Sequence, residues 1–417
     1  MKLGCIGDDF TGSSDLANML AKEGMRVTQF TGTPSEDASP DVDAGVVALK
    51  SRTLPAEDAV RLSLEALEWL KAQGCTQFFF KYCYTFDSTR EGNVGPVTDA
   101  LMEALGADRT IVCPAFPATG RSLYQGHLFV NGVLLSESGM ENHPLTPMTD
   151  ADIRRWMGHQ TKHAVGHVAA TTVFEGADAI RAAIGEEVAA GRPVIVVDAI
   201  RDADLREIGR AVKDMTLITG GSGVSLGIPA NLLDKSDRID VAADWSGLEG
   251  PAAIIAGSAS KMTRAQVERY AASNPAMEIT AEMVMEGETS PEEAARFAFE
   301  ADGTALLYSS ADPGTVKAAQ ARYGRETVAG RLEDFFAETA RQLVAGGVTR
   351  LVTAGGETSG AVVEGLDLSA LRIGPEIAPG VPAVKAEDRD LVLALKSGNF
   401  GDADFFETAL RVLGGKP

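Results

Sequence analysis

Short apolar runs alternate with longer stretches of helical period along most of this chain, and that alternation limits the fold more than any other feature. "LGCIG", "VTQFTG", "AGVVALKS", "TQFFFKYC", "RTIVCPAF", "RPVIVVDA" and "TLITGGSG" read as strands. "DLANMLAKEG", "AEDAVRLSLEALEWLKAQG", "VGPVTDALMEALG", "GADAIRAAIGEEVAAG" and "DADLREIGRAVKDM" read as the helices between them. Strands separated by helices predict an α/β fold whose mostly parallel sheets are covered by helices on both faces. Residues 119 to 150 break the rhythm with turn residues and short apolar pieces, which predicts a hairpin excursion.

With 417 residues, 45% of them hydrophobic, the chain exceeds what one core usually holds. Between 233 and 250, "LDKSDRIDVAADWSGLEG" loses periodicity, and "PAAIIAGSAS" then opens a new strand-to-turn unit. The expected domains are 1–235 and 250–417, each a Rossmann-like sheet flanked by helices. The second repeats the alternation through "KMTRAQVERYAASN", "ALLYSS", "RLVTAGG", "LVLALKSGNFG" and "DADFFETALRVLGG".

A net charge of −21, with no run of five or more Lys/Arg, argues against a nucleic-acid or anionic-membrane partner. No unbroken apolar stretch is long enough to span a bilayer, and no secretory h-region follows Lys2. The four cysteines form no CxxC pair and no zinc spacing, which predicts free thiols in a cytoplasmic protein. His159, His163 and His167 lie four apart, a metal-binding spacing on a helix. "HAVGHVAATTV", however, reads as a strand from about 163 and breaks that register, so no metal ligands are assigned.

Four strand ends of the first domain run into polar, Gly-containing turns: 7–15, 81–96, 113–127 and 219–231. They supply Asp8, Asp9, Lys81, Asp87, Arg90, Arg121 and His127. Carboxylates beside basic groups suit a hydroxylated organic acid, with Arg or Lys on its carboxylate and an Asp on a hydroxyl proton. Each residue has a plainer reading. Asp8 or Asp9 could cap the following helix, Lys81 could end its strand, and Arg90 and Arg121 could be solvated loop charges. The GxxxxGK[ST] loop is absent, and "GGSGVSLG" only approaches GxGxxG. In the second domain "AGSASKMT", "AGGETSGA" and "KSGNFGDADFF" are small-residue turns at strand ends, a composition that favours anions. The residues alone therefore predict group transfer between two substrates in an interdomain cleft.

"DDFTGSSDLANML", "KYCYTFDSTREGNVGPV", "CPAFPATGRSLYQGHLFV", "SESGMENHPLTPMTD", "AGSAS", "GGETSGAVV" and "ALKSGNFG" resemble, in this order and from end to end, the four-carbon acid sugar kinase family. The "KYCYTFDST" form resembles its 3-oxo-tetronate kinase branch. The resemblance implies an N-terminal domain for the sugar acid and a C-terminal domain for ATP and Mg2+, which close for transfer to the C4 hydroxyl. It places Asp8 and Asp9 at the sugar acid as the catalytic pair, one orienting or deprotonating the C4 hydroxyl and the other holding substrate hydroxyls, and Ser258, Gly355, Gly356, Glu357, Thr358 and Gly398 at the nucleotide, with Glu357 either a magnesium ligand or a helix-start partner. Lys81, Asp87, Arg90, Arg121 and His127 are the candidate substrate-binding set, the three cations for the substrate carboxylate. Tyr84 and Ala259 depart from the family's usual Ser and Cys. Threonate or erythronate kinases, an NAD-dependent sugar-acid dehydrogenase and a non-catalytic sugar-acid sensor are the alternatives, and homo-oligomerisation is left open.

Overall fold

The apolar runs of the first half build a parallel sheet in which Leu3–Gly7 lies between Ala44–Ala48 and Gln77–Lys81. Val27–Thr31 closes one side, and Leu217–Gly220, Thr110–Cys113, Val194–Val197 and Val165–Val168 follow in that order on the other. All these pairings are parallel. The computed structural model describes residues 1–143, 145–310 and 313–416. Contacts divide the chain into two units, Met1–Ile239 and Asp240–Pro417.

Strands such as QFFFK and VIVV are buried along their whole length, as expected where helices cover both faces. The helix Ala56–Ala72 buries Ala59, Ser63, Ala66, Leu67 and Leu70, one stripe of helical period. The helix Val94–Leu105 ends on Gly106 at φ 61°, the left-handed cap that glycine adopts without strain. The excursion forms a separate antiparallel sheet of Arg121–Tyr124, His127–Val130 and Val133–Leu134, followed by short helical turns.

In the second unit Ala276–Glu278, Ala305–Tyr308, Ala252–Ala256, Arg350–Ala354 and Val392–Lys396 are parallel neighbours in that order. Val381–Ala386 and Ala370–Ala378 extend this sheet as antiparallel strands. Helix starts carry their own caps: Ser260 accepts from Thr263 N–H, and Ser290 with Glu293 forms a capping box ahead of Pro291. Phe405, Phe406, Ala409, Val412 and Leu413 of the last helix pack into the core formed by the strands.

In each unit the connections leave one strand in opposite directions. In the first the chain visits Val27–Thr31 and Ala44–Ala48 on one side of Leu3–Gly7, then crosses to Gln77–Lys81. In the second it visits Ala276–Glu278 and Ala305–Tyr308 on one side of Ala252–Ala256, then crosses to Arg350–Ala354. Open α/β sheets hold ligands at the carboxyl ends of strands flanking such switch points.

The glycines of "GGSGVSLG" serve packing. A Cβ on Gly220 would lie 2.4 Å from the Cys113 carbonyl oxygen, on Gly221 2.9 Å from that of Pro114, and on Gly223 2.7 Å from that of Ala115. The segment is buried against its own chain and offers no cradle for a dinucleotide. Gly227 meets the helix Asp202–Ala211, where an added Cβ would lie 2.6 Å from the Arg206 carbonyl oxygen and 2.8 Å from Gly209 Cα. Gly227→Ala should therefore lower unfolding stability by roughly 1–3 kcal/mol, read as a lower denaturant midpoint. An unchanged midpoint would show that this contact relaxes freely.

Candidate active site

Asp8 and Asp9 follow the last residue of Leu3–Gly7, and the backbone of Asp8 is tied to both adjacent strand ends. Its N–H donates to the Lys81 carbonyl at 3.1 Å, and its carbonyl accepts from Ser51 and Arg52 N–H at 2.9 and 3.1 Å. This brings Arg52, which follows the strand Ala44–Ala48, onto the acid pair. Arg52 donates Nε and Nη2 to the two carboxylate oxygens of Asp8, each at 2.8 Å, and Nη2 also bonds Asp9 Oδ1. Its Nη1 lies 3.7 Å from Asp87 Oδ2. A planar guanidinium fork can serve two carboxylates in this way and an ammonium cannot.

Asp9 caps the helix Phe10–Lys22, as the plain reading allowed, and also belongs to the charge cluster. Its Oδ2 accepts from Gly12 N–H and the Thr11 hydroxyl, both at 3.0 Å. Its Oδ1 accepts from Arg52 and from Lys81 Nζ, the latter at 3.3 Å. Lys81 is 1% exposed, so Gln77–Lys81 ends in a buried ammonium against a carboxylate rather than in a solvated one. Gly12 makes room for this pairing, since a Cβ there would lie 1.7 Å from Lys81 Nζ.

The two aspartates differ electrostatically. Burial raises both carboxyls, but around Asp9 the charges of Lys81 and Arg52 and the Gly12 and Thr11 hydrogen bonds win and hold it well below the usual carboxylate range. For Asp8 burial prevails and pushes the carboxyl upward against the pull of Arg52. Arg52 is driven further up by Asp8 and Asp9 and stays charged.

Asp87 sits with Phe86 in the left-handed region, at φ 48° and 62°, a conformation rare for residues with side chains and common at functional sites. Its Oδ1 accepts from the Thr146 hydroxyl, and Thr146 N–H donates to His143 Nδ1 at 3.1 Å. The excursion thus reaches back to this loop. Tyr84, whose hydroxyl is raised by burial, feels the charges of both Arg121 and Asp9. The Arg121 guanidinium lies 5.0 Å from the Tyr84 ring centroid, its Nη1 bonds the Thr119 carbonyl, and no carboxylate pairs with it among the described residues.

Of the residues expected at the sugar acid, Asp8, Asp9, Lys81 and Asp87 are therefore joined in one cluster, with Arg121 beside it through Tyr84. Arg90 is exposed and donates to His159 Nε2 at 2.8 Å, and His127 faces the Gln125 carbonyl and Asp152, 3.9 Å away; neither bonds the cluster. Sequence reasoning missed Arg52, Thr146 and His143. Arg52 was findable, because it ends a strand adjoining Leu3–Gly7, whereas nothing local marks the excursion residues. The histidine spacing is broken as expected: His159 follows a helix, His163 lies in a loop and His167 in a strand. No group of three His, Cys, Asp or Glu able to hold a metal occurs among the described residues. The cysteines are free, and burial pushes Cys75 and Cys113 up to about 12, which makes them unreactive.

In the second unit the turns after three neighbouring strands meet. Gly257 and Ser258 N–H donate to the Ala354 carbonyl at 2.9 and 3.2 Å, and Gly355 N–H to that of Lys396 at 2.9 Å. Gly355, at φ 133°, could carry no Cβ without meeting Thr358 Oγ1 at 2.9 Å and Ser258 N at 3.2 Å. A Cβ on Gly398 would lie 2.4 Å from Ser258 Oγ. Gly356, Glu357 and Thr358 open the helix Gly356–Gly365, with Glu357 exposed and Thr358 buried.

Beneath these turns lies Lys396, 0% exposed. Its Nζ donates to Thr263 Oγ1, the Ser397 carbonyl and the Gly398 carbonyl at 3.0, 3.1 and 3.0 Å, and no carboxylate pairs with it among the described residues. Ser260 and Thr263 hydroxyls donate to the same Gly398 carbonyl at 2.6 and 2.8 Å. Burial lowers the ammonium to about 7. A buried cation without an anion, under three glycine-bearing turns, is the setting for a bound anion.

Comparisons with known proteins cover both units. Residues 3–228 match the model of a sugar-binding N-terminal domain, and residues 253–406 that of a nucleotide-binding C-terminal domain. The chain is 52% identical to a 3-oxo-tetronate kinase of Burkholderia multivorans, covering 99% of this chain and 97% of that one. It is 43% identical to the 3-oxo-tetronate kinase of Haemophilus influenzae, over 98% of both. A crystal structure from Salmonella typhimurium LT2, whose description mentions a tRNA synthase, superposes at a TM-score of 0.93 with 41% identity over 99% of both chains. Another, from Haemophilus influenzae, gives 0.87 and 42% over 98% of this chain and 100% of that one. The chain belongs to the four-carbon acid sugar kinase family, among relatives named 3-oxo-tetronate kinase.

Proposed function

We propose that this chain transfers the γ-phosphoryl group of ATP to the C4 hydroxyl of a four-carbon sugar acid, with 3-oxo-tetronate the preferred acceptor. The observation that carries this reading is the pairing of a buried carboxylate and cation cluster at the switch point of one unit with a buried, anionless lysine under three glycine turns at the switch point of the other. The first unit takes the acid and the second the nucleotide, and the reaction requires the acceptor hydroxyl to meet the γ-phosphoryl group. A net charge of −21 with no run of five or more Lys/Arg sets the chain against a tRNA or any other nucleic-acid backbone.

Phosphoryl transfer depends on position and charge neutralisation more than on a strong base. Asp8 is a positioning residue, because both of its oxygens are held by Arg52. Asp9, kept ionised by Lys81 and Arg52, is a poor proton acceptor but a fixed hydrogen-bond acceptor that orients a substrate hydroxyl. Asp87 Oδ2, opposed among the described residues by Arg52 alone, at 3.7 Å, is the least committed carboxylate oxygen of the cluster and takes the C4 proton. Arg121, without an ion pair among the described residues, holds the substrate carboxylate.

The donor set fits magnesium carried on the nucleotide, since Mg2+ keeps waters and uses one or two carboxylates plus phosphates. Glu357, exposed at the first turn of its helix, is the carboxylate that would hold it, directly or through water. When bound, the ion neutralises phosphate charge.

A coupled ADP-release assay across four-carbon acids, oxidised and reduced at C3, tests the reading. Highest kcat/KM is expected with the 3-oxo acid. Hydride transfer to NAD(P) with no ADP release would overturn it. Asp87→Asn should cut kcat by about 10²–10⁴-fold with ATP binding unchanged, and Arg121→Gln should raise KM for the acid about ten- to a hundredfold with little change in KM for ATP. Asp87→Asn with full kcat would remove Asp87 from proton transfer.

Lys396 gives a pH prediction. In the free protein it loses its proton near 7, and nearby phosphates stabilise the ammonium, so nucleotide binding takes up a proton above that pH. The ATP Kd measured by calorimetry should therefore rise from pH 7 to 9, and this rise should flatten in Lys396→Met. Equal slopes in the two proteins would show that Lys396 does not sense the phosphates.

A further inference from the structure

Tyr84 bonds none of the acid cluster among the described residues, yet it joins the two ends of the proposed acceptor site: Asp87 shares its turn, and Arg121 lies on its ring. In that turn Phe86 N–H donates to the Cys83 carbonyl at 2.9 Å and Asp87 N–H to that of Thr85 at 2.7 Å. The turn is held from behind. Tyr82 N–H donates to the Gly220 carbonyl at 3.1 Å, and the buried Tyr82 hydroxyl pairs with Thr219 Oγ1 at 3.1 Å. A Cβ on Gly221 would lie 3.2 Å from Tyr84 Cβ, so a further loop blocks retreat of the side chain on that side. The half-buried ring therefore has a fixed place.

Arg121 is laid against this ring from the other loop. Phe116 and Arg121 exchange backbone hydrogen bonds at 2.8 and 3.1 Å, and the Phe116 ring meets that of Tyr84 at 67°, with centroids 6.4 Å apart. The guanidinium lies 5.0 Å from the Tyr84 centroid, a contact that a planar, weakly hydrated cation makes favourably. Its Nη1 bonds the Thr119 carbonyl, and its Nε is buried without a hydrogen-bond partner among the described residues. An aromatic face orients a cation without consuming an N–H, which a hydrogen-bonded partner would. The charges of both Arg121 and Asp9 reach the Tyr84 hydroxyl, so the ring stands near the acid cluster as well as the cation.

We propose that Tyr84 determines which acid length is accepted: it positions Arg121 relative to Asp87, and so fixes the span between the bound carboxylate and the phosphorylated hydroxyl. Tyr84 and Asp87 are three positions apart on one hydrogen-bonded turn, which ties both ends of that span to a single piece of backbone. A four-carbon acid fits it, and an acid one carbon longer carries its terminal hydroxyl past Asp87. Tyr84 is a positioning residue, and the inference rests on Arg121 holding the acceptor carboxylate.

Calorimetric binding of 3-oxo-tetronate, and of the acid one carbon longer, to the full chain tests this without turnover. The unaltered protein should prefer the shorter acid by about ten- to a hundredfold, the usual worth of one carbon in a shaped site. Tyr84→Phe keeps the ring and should keep the preference. Tyr84→Leu keeps apolar bulk without a π face; it should bind 3-oxo-tetronate about tenfold more weakly and lose most of the preference, with the melting temperature unchanged. In an Arg121→Gln background Tyr84→Leu should add less than about twofold, because no guanidinium is left to place. The proposal is overturned by no length preference in the unaltered protein, by a folded Tyr84→Leu protein with full affinity and preference, by equal losses in Tyr84→Phe and Tyr84→Leu, or by a further tenfold loss in the Arg121→Gln background. Should Tyr84→Leu not fold, Arg121→Lys, whose ammonium cannot lie flat on the ring, must lose the preference instead, and its retention overturns the proposal. Weaker binding in Arg121→Gln with none in Tyr84→Leu removes Tyr84 and leaves the Arg121 assignment standing. The expected binding pattern without ADP release supports Tyr84 while refuting the kinase reading.

Discussion

One guanidinium organises the first unit. Arg52 holds both oxygens of Asp8, reaches Asp9 and faces Asp87, so three carboxylates from two loops share one cation that comes from a third. Without it, buried Asp8 and half-buried Asp9 would be adjacent charges with only Lys81 to offset their mutual repulsion. The cluster exists because Leu3–Gly7 is flanked by the strands that deliver Arg52 and Lys81, and so the sheet order is a precondition of the chemistry. A lysine in place of Arg52 could not form the two-pronged contact with Asp8 while keeping its hold on Asp9.

The second unit meets the same requirement differently. Its buried charge is Lys396, which has backbone carbonyls and a hydroxyl for company where Lys81 has a carboxylate. A structural ion pair is complete without a ligand; an ammonium lacking an anion is completed by one. That contrast underlies the proposal that the first site orders polar hydroxyls and the second binds an anion. Family membership supplies the substrates that these two kinds of site would serve.

Much of this was legible in the sequence, for physical reasons specific to each element. Buried parallel strands such as QFFFK and VIVV need apolar residues on both faces, and turns that bring backbones together need glycine, so strands and glycine turns show in local composition. Asp8 and Asp9 were visible for the same reason, since acids at a strand-to-helix junction stand out. The double duty of Asp9, as helix cap and charge partner, was not visible, because it depends on a lysine 72 positions away. Arg90 and His127 carried the right chemistry in the right loops, yet lie against His159 and Asp152. Loop charges take partners from whatever the excursion folds against them, and that is a tertiary property. Thr146 and His143 reach Asp87 only through that excursion, and "GGSGVSLG" spends on backbone packing the glycines that resembled a nucleotide motif.

The central claim is that the acid cluster presents a terminal hydroxyl of a four-carbon acid for phosphorylation. Phosphorus–proton correlation NMR on the product formed from ATP and 3-oxo-tetronate measures this directly. The account predicts one phosphate monoester coupled to the two C4 methylene protons. A phosphorus signal coupled to the C2 proton, or an acyl phosphate with no such coupling, would contradict it.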